Sequence, residues 1–173
     1  MRRLTREMRR FLPLLGGPAT VLITGETGTG KELVARAIHF TGARREQRFV
    51  AQNCAALPES LFEIEIFGHV AGAFPGAQDK PGKLEAASGG TLMLDEVEAM
   101  PEAIQPKLLR ALQERMVERL GENQLRPLDL RIIATSKTDL RPRTLDGSFR
   151  ADLFYRLRVV GIQQPALRDR REE

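Results

Sequence analysis

Long apolar runs are missing from this sequence. A helix that crosses a bilayer needs roughly twenty consecutive apolar residues, and charged or helix-breaking residues interrupt every stretch before that length. No membrane span is expected. Cys54 is the single cysteine, so no internal disulfide can form, which suits a reducing cytoplasm. Its expected role is a small buried hydrophobe, not a nucleophile. The two histidines, His39 and His69, lie far from any cluster of ligand side chains, and both read as structural. Internal repeats, low-complexity tracts and any recognisable DNA-reading motif are absent as well. The excess of positive charge is small. Twenty-seven basic and 23 acidic residues leave a net charge of +4, and arginine clusters at both ends supply much of it. Without a reading motif, that charge reads as a solvated face. The N-terminus, Met1-Arg2-Arg3 through Arg9-Arg10-Phe11-Leu12, has some look of an export signal, but Pro13, Gly16, Gly17 and Pro18 break its apolar stretch. No small-residue cleavage site follows. Leu4, Met8 and Phe11/Leu12 recur at helical spacing, so residues 1–17 read as a short basic amphipathic lead-in helix.

What is present is one domain's worth of alternating structure. The chain has 173 residues, of which 42% are hydrophobic and 29% charged, enough for a real core under a soluble surface. Ala19–Thr24 is a short β-branched apolar run and reads as a buried strand. A glycine loop over 25–30 and a helix over Lys31–Phe40 follow, with Leu33, Val34, Ala37 and Ile38 on one face. Phe49–Asn53 reads as a strand, and Pro58–Phe67 as a helix with Leu61, Ile64 and apolar neighbours. The Gly-, Ala- and Pro-rich stretch 68–82 reads as a loop. Thr91–Leu94 is a buried strand. Pro101–Arg115 is helical, with Pro106 distorting or delaying its first turns. Met116–Leu130 reads as a hairpin turning at Gly121-Glu122-Asn123. Arg131–Ser136 is a strand, Phe149–Leu157 a short helix and Arg158–Ile162 a last strand. Strands alternating with helices predict an α/β sandwich with a mainly parallel sheet.

Two segments carry chemistry. Gly25-Glu26-Thr27-Gly28-Thr29-Gly30-Lys31-Glu32 fits G-x-x-x-x-G-K followed by Glu, with a strand before it and a helix after it. The glycines let backbone N–H groups turn inward around phosphate oxygens, and the helix aims its positive end at the same anion. Lys31 adds a point charge for the outer phosphates. Gly90-Thr91-Leu92-Met93-Leu94-Asp95-Glu96 delivers two carboxylates at a strand's C-terminal end, where α/β sheets bind ligands. An apolar run ending in Asp-Glu also describes a strand meeting solvent. Paired with the loop upstream, it reads as the second half of an ATPase site, with Asp95 on Mg²⁺ and Glu96 as general base.

At this point the sequence resembles the AAA+ ATPase domain of bacterial enhancer-binding proteins, the activators of sigma-54 RNA polymerase. Gly25–Glu32 is similar to that family's own P-loop, Glu32 included. Phe49-Val50-Ala51-Gln52-Asn53-Cys54-Ala55-Ala56-Leu57 is similar to its F-x-x-x-N-C-A-A-L segment. Phe67-Gly68-His69 leads into Gly72-Ala73-Phe74-Pro75-Gly76-Ala77, which resembles its G-A-F-T-G-A loop. Gly89–Glu96 resembles its G-G-T-L-F-L-D-E segment, and Phe149–Leu157 its F-R-x-D-L-Y-Y-R-L segment. Glu98-Ala99-Met100-Pro101 leans towards the dicarboxylate-transport regulators. The resemblance implies a three-layer P-loop NTPase fold of AAA+ type, with ATP and Mg²⁺ as cofactors. It implies that Asn53 holds Glu96 in an inactive pose, that Arg150 and Arg156 reach a neighbouring subunit's site as arginine fingers, and that Phe74 tips a sigma-contacting loop over 68–82. It further implies a cytoplasmic ring, a hexamer, acting on sigma-54 RNA polymerase.

The sequence departs from the family in three places. Pro75 stands where the family has threonine; it lacks the hydroxyl and the N–H and fixes φ. Ser136-Lys137 stands where the family has Thr-Asn as a γ-phosphate sensor; Ser136 keeps a hydroxyl there, and Lys137 would meet phosphate with different geometry. The sequence stops at Leu167–Glu173, where the family continues into a helical lid and a helix-turn-helix, and no receiver domain precedes Met1. The expectation is an α/β subdomain that reaches DNA only through a domain not present. A second reading stays open beside the ATPase: a non-catalytic nucleotide-binding or assembly module that does not engage sigma-54.

Overall fold

The structure, a computed structural model, describes residues 17–166 and Arg168. Apart from Gly17, the lead-in helix expected over 1–17 lies outside the described residues. Five strands form one sheet: β1 (Val21–Thr24), β2 (Phe49–Asn53), β5 (Thr91–Asp95), β8 (Arg131–Ser136) and β9 (Val160–Gln163). Their order is β2-β5-β8-β1-β9 and every pairing is parallel. The expected α/β architecture is the one observed.

Alternate residues of a strand face opposite sides of a sheet. Val21, Ile23, Met93 and Ile133 pack against Val34, Ala35 and Ile38 of α1 (Lys31–Thr41). Leu22, Leu92, Leu94, Ile132 and Ala134 face the other way, into a larger core. That core takes Phe62 and Ile66 from α2 (Glu59–Phe67), Leu108 from α4 (Ile104–Glu114), and Leu153 and Leu157 from α6 (Ala151–Leu157). Each fully buried aliphatic or aromatic side chain contributes about 1.5–3 kcal/mol. Strands apolar on both faces read as continuous apolar runs.

Handedness accounts for the split. Parallel crossovers are right-handed. From β1 the chain moves across the sheet to β2, and from β2 it returns through β5 and β8 to β9. Reversing direction puts the two sets of helices on opposite faces. Among the described helices, α1 covers its face alone. The reversal makes the crevice between β1 and β8 the place where such sheets bind ligands.

Several expectations change in detail. The buried face of α1 is Val34, Ala35, Ile38 and His39, one residue round from the expected stripe, and Leu33 is 64% exposed. In α2 the core residues are Phe62, Ile66 and Phe67, while Leu61 is exposed. Helix α4 starts at Ile104, so Pro106 is its third residue. An N–H there has no partner within the helix, and proline fits without a break. Three short elements carry too few residues for periodicity to reveal: α3 (Lys83–Ala86), a 3-10 turn (Val97–Ala99) and α5 (Arg141–Leu145).

Stretch 68–82 is not a plain loop. Antiparallel strands β3 (Gly68–His69) and β4 (Lys80–Pro81) close its base. Two tight turns build its tip. The Phe74 carbonyl accepts from the Ala77 N–H at 3.0 Å, with Pro75 second and Gly76 third at φ 81°. The Val70 carbonyl accepts from the Ala73 N–H at 3.2 Å, with Gly72 third at φ 82°. This is the residue pattern of a type II turn, which favours Pro second and needs positive φ third. The expected hairpin forms between β6 (Met116–Val117) and β7 (Arg126–Pro127). It docks on the first: the Leu120 N–H donates to the Gly68 carbonyl at 3.0 Å, and the Val70 N–H to the Leu120 carbonyl at 3.1 Å.

Candidate functional site

The C-terminal ends of four adjacent strands meet at one edge of the sheet. Asn53 of β2 pairs in register with Asp95 of β5, and Thr24 of β1 with Ser136 of β8. The phosphate loop leaves β1 at this edge, and its Gly25 N–H donates to the Ser136 carbonyl at 3.1 Å. Gly30 caps α1 with φ 85° and ψ 29°, a conformation that favours glycine. The Lys31 Nζ donates to the Gly25 carbonyl at 2.7 Å and the Glu26 carbonyl at 2.9 Å. The ammonium thus lies inside its own loop. Thr29 closes the turn through its Oγ1 and the Glu26 carbonyl at 2.8 Å. Thr27 and Gly28 are exposed at the rim. Glu26 forms a two-pronged pair with Arg168, both contacts at 2.8 Å. Hydrogen bonding to that guanidinium holds the Glu26 carboxyl below its usual range. Glu32 faces away from the loop and pairs with Arg36 at 2.8 Å.

The carboxylates of β5 are held by strands on both sides. The Asn53 Nδ2 donates to Asp95 Oδ2 at 3.2 Å. The Thr135 hydroxyl donates to Asp95 Oδ1 and accepts the Glu96 N–H, the latter at 3.2 Å. Glu96 has left-handed backbone, φ 53° and ψ 51°. Strain of this kind costs about 1–3 kcal/mol and persists only where surrounding structure enforces it. The turn re-aims the side chain away from the strand, and its Oε2 lies 3.3 Å from the Lys137 Nζ. Buried Glu98 receives the Lys137 N–H on Oε1 at 3.2 Å. Cys54 is 1% exposed. Burial, then the charges of Asp95, Glu98 and Glu96, push its thiol far up, which fits the inert role expected of it.

A cleft of about 510 Å³ borders the loop, and Gly25, Glu26, Lys137 and Arg168 are among its lining residues. Lys31, Asp95 and Glu96 lie at one edge of the sheet by strand register, and none of them lines this cleft. Other expected residues are placed differently. Asn53 bonds Asp95, not Glu96, because the parallel register sets it opposite Asp95; its own Oδ1 takes the Ala55 N–H at 2.7 Å. The buried Ser136 hydroxyl donates to the Thr138 carbonyl at 2.7 Å, so it closes a turn and is not directed at the loop. Arg150 pairs with Asp152 at 2.7 Å and Arg156 donates to the Leu112 carbonyl at 2.7 Å. Both guanidiniums are exposed, and neither of these bonds reaches the phosphate loop. Phe74 is 40% exposed, with its ring 4.9 Å from that of buried His69. Thr135 and Glu98 escaped the sequence reading. Thr135 sits one residue before a recognised strand end, but nothing local marks it as the link to Asp95. Glu98 carries no local signal.

The family model for the Sigma-54 interaction domain matches residues 1–163. The chain belongs to the sigma-54 interaction domain family. The chain is 60% identical over 156 residues to the C4-dicarboxylate transport transcriptional regulatory protein DctD of Pseudomonas aeruginosa, covering 90% of this chain and 34% of that one. The crystal structure of NtrX from Brucella abortus matches with a TM-score of 0.91 at 40% identity, over 100% of this chain and 39% of that one. Its complex with ATP matches with a TM-score of 0.88 at 41% identity, over 96% of this chain and 36% of that one. The chain spans about a third of the length of the curated relatives it matches. The fold of this sigma-54 interaction domain is the three-layer P-loop NTPase arrangement of AAA+ type, as its motifs implied. Among the described residues, no helix is long and apolar enough to cross a membrane.

Proposed function

We propose that this chain is the ATP-binding, Mg²⁺-dependent ATPase module of a sigma-54-dependent transcriptional regulator, coupling hydrolysis to remodelling of the sigma-54 RNA polymerase. One observation carries the reading: the Lys31 loop follows β1 and the Asp95-Glu96 carboxylates end β5 at the same C-terminal edge of the sheet, with β8 between them, beside the point where the sheet reverses direction. A triphosphate in the loop takes the place of the Gly25 and Glu26 carbonyls as the partner of the Lys31 ammonium. The N-terminus of α1 and the loop N–H groups face the same anion. Among the described residues, no three acidic, histidine or cysteine side chains group to cage a metal ion. A divalent ion here would rest on Asp95, phosphate oxygens and water, a donor set that suits magnesium. It would supply charge neutralisation between the phosphates. Glu96 accepts a proton from water as that water attacks the γ-phosphorus and the bond to the departing ADP breaks. Asn53 orients the Asp95 carboxylate through its amide.

Arg150 and Arg156 are exposed on α6 and its cap, suited to reach a neighbouring subunit in a cytoplasmic ring. An arginine supplied across subunits is worth about 10³–10⁵ in rate. Phe74, at the tip of its double turn, presses on sigma-54, and DNA is reached through another domain. The test is turnover against protein concentration, followed by mixing Arg150→Ala with Glu96→Gln chains. Each pure variant should be inactive, and the mixture should recover part of the rate. A mixture no better than its parts sinks the shared site. Zero turnover at every concentration favours the non-catalytic reading.

A further inference from the structure

We propose that His69 is the platform for Phe74: its ring sets the orientation in which the Phe74 ring meets an apolar site on sigma-54. The inference rests on the reading of Phe74 as the sigma-contacting residue and adds the side chain that positions it. His69 lies in β3 and is 7% exposed. Its backbone is held on both sides, by the antiparallel pairing with Lys80 of β4 and by a bridge to Leu120 of the second hairpin. The imidazole therefore stands on a fixed base. Three bonds close the tip on itself. The Ala73 N–H donates to the Val70 carbonyl, the Ala77 N–H to the Phe74 carbonyl, and the Gly72 N–H to the Ala77 carbonyl at 3.3 Å. None of the three fixes the Phe74 side chain.

The His69 ring does. The two rings are tilted by 55° with centroids 4.9 Å apart, inside the range of favourable aromatic pairs. The His69 Nδ1 is buried with no hydrogen-bond partner among the described residues. A nitrogen left in that state is a cost, so packing, and not a bond through this atom, is what the ring contributes here. Phe74 rests one side on that ring and stays 40% exposed on the other. A phenylalanine at a free loop tip samples several rotamers, and a partner that fits one of them loses affinity in proportion to the rest. A ring pair of this kind favours one orientation by about two- to tenfold. An exposed aromatic held in a single pose is the kind of residue that anchors an interface.

The test has two arms. The chain contains no tryptophan, so Phe74→Trp places a single reporter at the tip. Adding His69→Ala should shift its emission to the red and raise acrylamide quenching about twofold, as the sheltered side of the ring meets water. Adding His69→Phe should keep both near the values with His69. The second arm is binding of dye-labelled sigma-54, with ATP present. The chains are wild type, His69→Ala, His69→Phe, Phe74→Ala and the His69→Ala/Phe74→Ala double variant. His69→Ala should weaken binding about two- to tenfold, and His69→Phe should recover most of the loss. The His69→Ala loss should vanish in the Phe74→Ala background, because His69 acts through that ring. Unchanged nucleotide affinity in His69→Ala reports an intact fold. Unchanged emission and quenching after His69→Ala overturn the proposal, as does a gain in sigma-54 affinity or a loss that persists without Phe74. If the emission arm comes out as expected and no chain binds sigma-54, the sigma-contacting reading of Phe74 fails instead, and this inference with it.

Discussion

Thr135 holds two residues of the site with one oxygen. It donates to Asp95 and accepts the N–H of Glu96 from a fully buried position. Thr135→Val keeps the shape and removes both contacts, leaving a buried N–H and a carboxylate oxygen without their partner. Such losses cost about 1–3 kcal/mol each. The expected outcome is a destabilised chain, read by urea unfolding, and a fall in hydrolysis larger than the fall in nucleotide affinity. Unchanged turnover at matched folded fraction would show that the strained turn of Glu96 does not depend on this hydroxyl. Chemistry was legible here wherever a motif carries it in consecutive residues. Lys31, Asp95 and Glu96 belong to such motifs. Thr135, Glu98 and the partner of Asn53 do not, because each acts on a residue about 40 positions away.

The two hairpins form a second unit, built on close backbone approach. Gly121 has φ 86°, and a Cβ placed there would come within 2.8 Å of the Ala73 Cβ. Gly121→Ala therefore meets both a steric contact and an unfavourable backbone. The expected cost is about 1–3 kcal/mol, localised to the tip. Hydrogen exchange should quicken at Val70 and Ala73 while nucleotide affinity holds. Slow exchange there after substitution would mean the hairpins are not coupled. Pro75→Thr is the opposite case. Its position accepts most residues, so the turn should survive with a loss of at most about 1 kcal/mol. Any gain in sigma-54-dependent output would then come from the restored hydroxyl or backbone N–H. The strands were legible because β-branched apolar runs have few alternatives. The helix faces were less so. With apolar residues at Leu33, Val34, Ala37 and Ile38, α1 had more than one candidate stripe, and docking on the sheet selected Val34, Ala35, Ile38 and His39.

At the scale of the molecule, α1 and the sheet share a buried titratable group. His39 is 1% exposed, with Nδ1 2.9 Å from Thr91 Oγ1. Burial holds its pKa below the ordinary 6.5; the Gln47 backbone opposes this and the Arg131 charge adds to it. The folded state thus binds fewer protons than the unfolded state below that value. Stability is full above pH 6.5 and falls as pH drops through it towards the folded value. Unfolding midpoints between pH 7.5 and 5.5 should decline, and His39→Gln should flatten the decline. An equal slope in the variant would assign the effect to other groups. Glu65 and Asp152 have depressed carboxyl values through Lys80 and Arg150. Their contributions are present above the ordinary carboxylate range and are lost only below it, outside this window.

The phosphate loop, the Asp-Glu strand end, the α/β class and the family itself follow from the sequence alone, because each is carried by contiguous residues whose local conformation and chemistry have one sensible solution. Which side chain holds which was decided by the tertiary structure. The order β2-β5-β8-β1-β9 sets Asn53 beside Asp95, Thr135 beneath Glu96, and Lys137 between Glu96 and Glu98. Crossover handedness and parallel register fix those neighbours. Both are properties of the closed sheet and of no single segment.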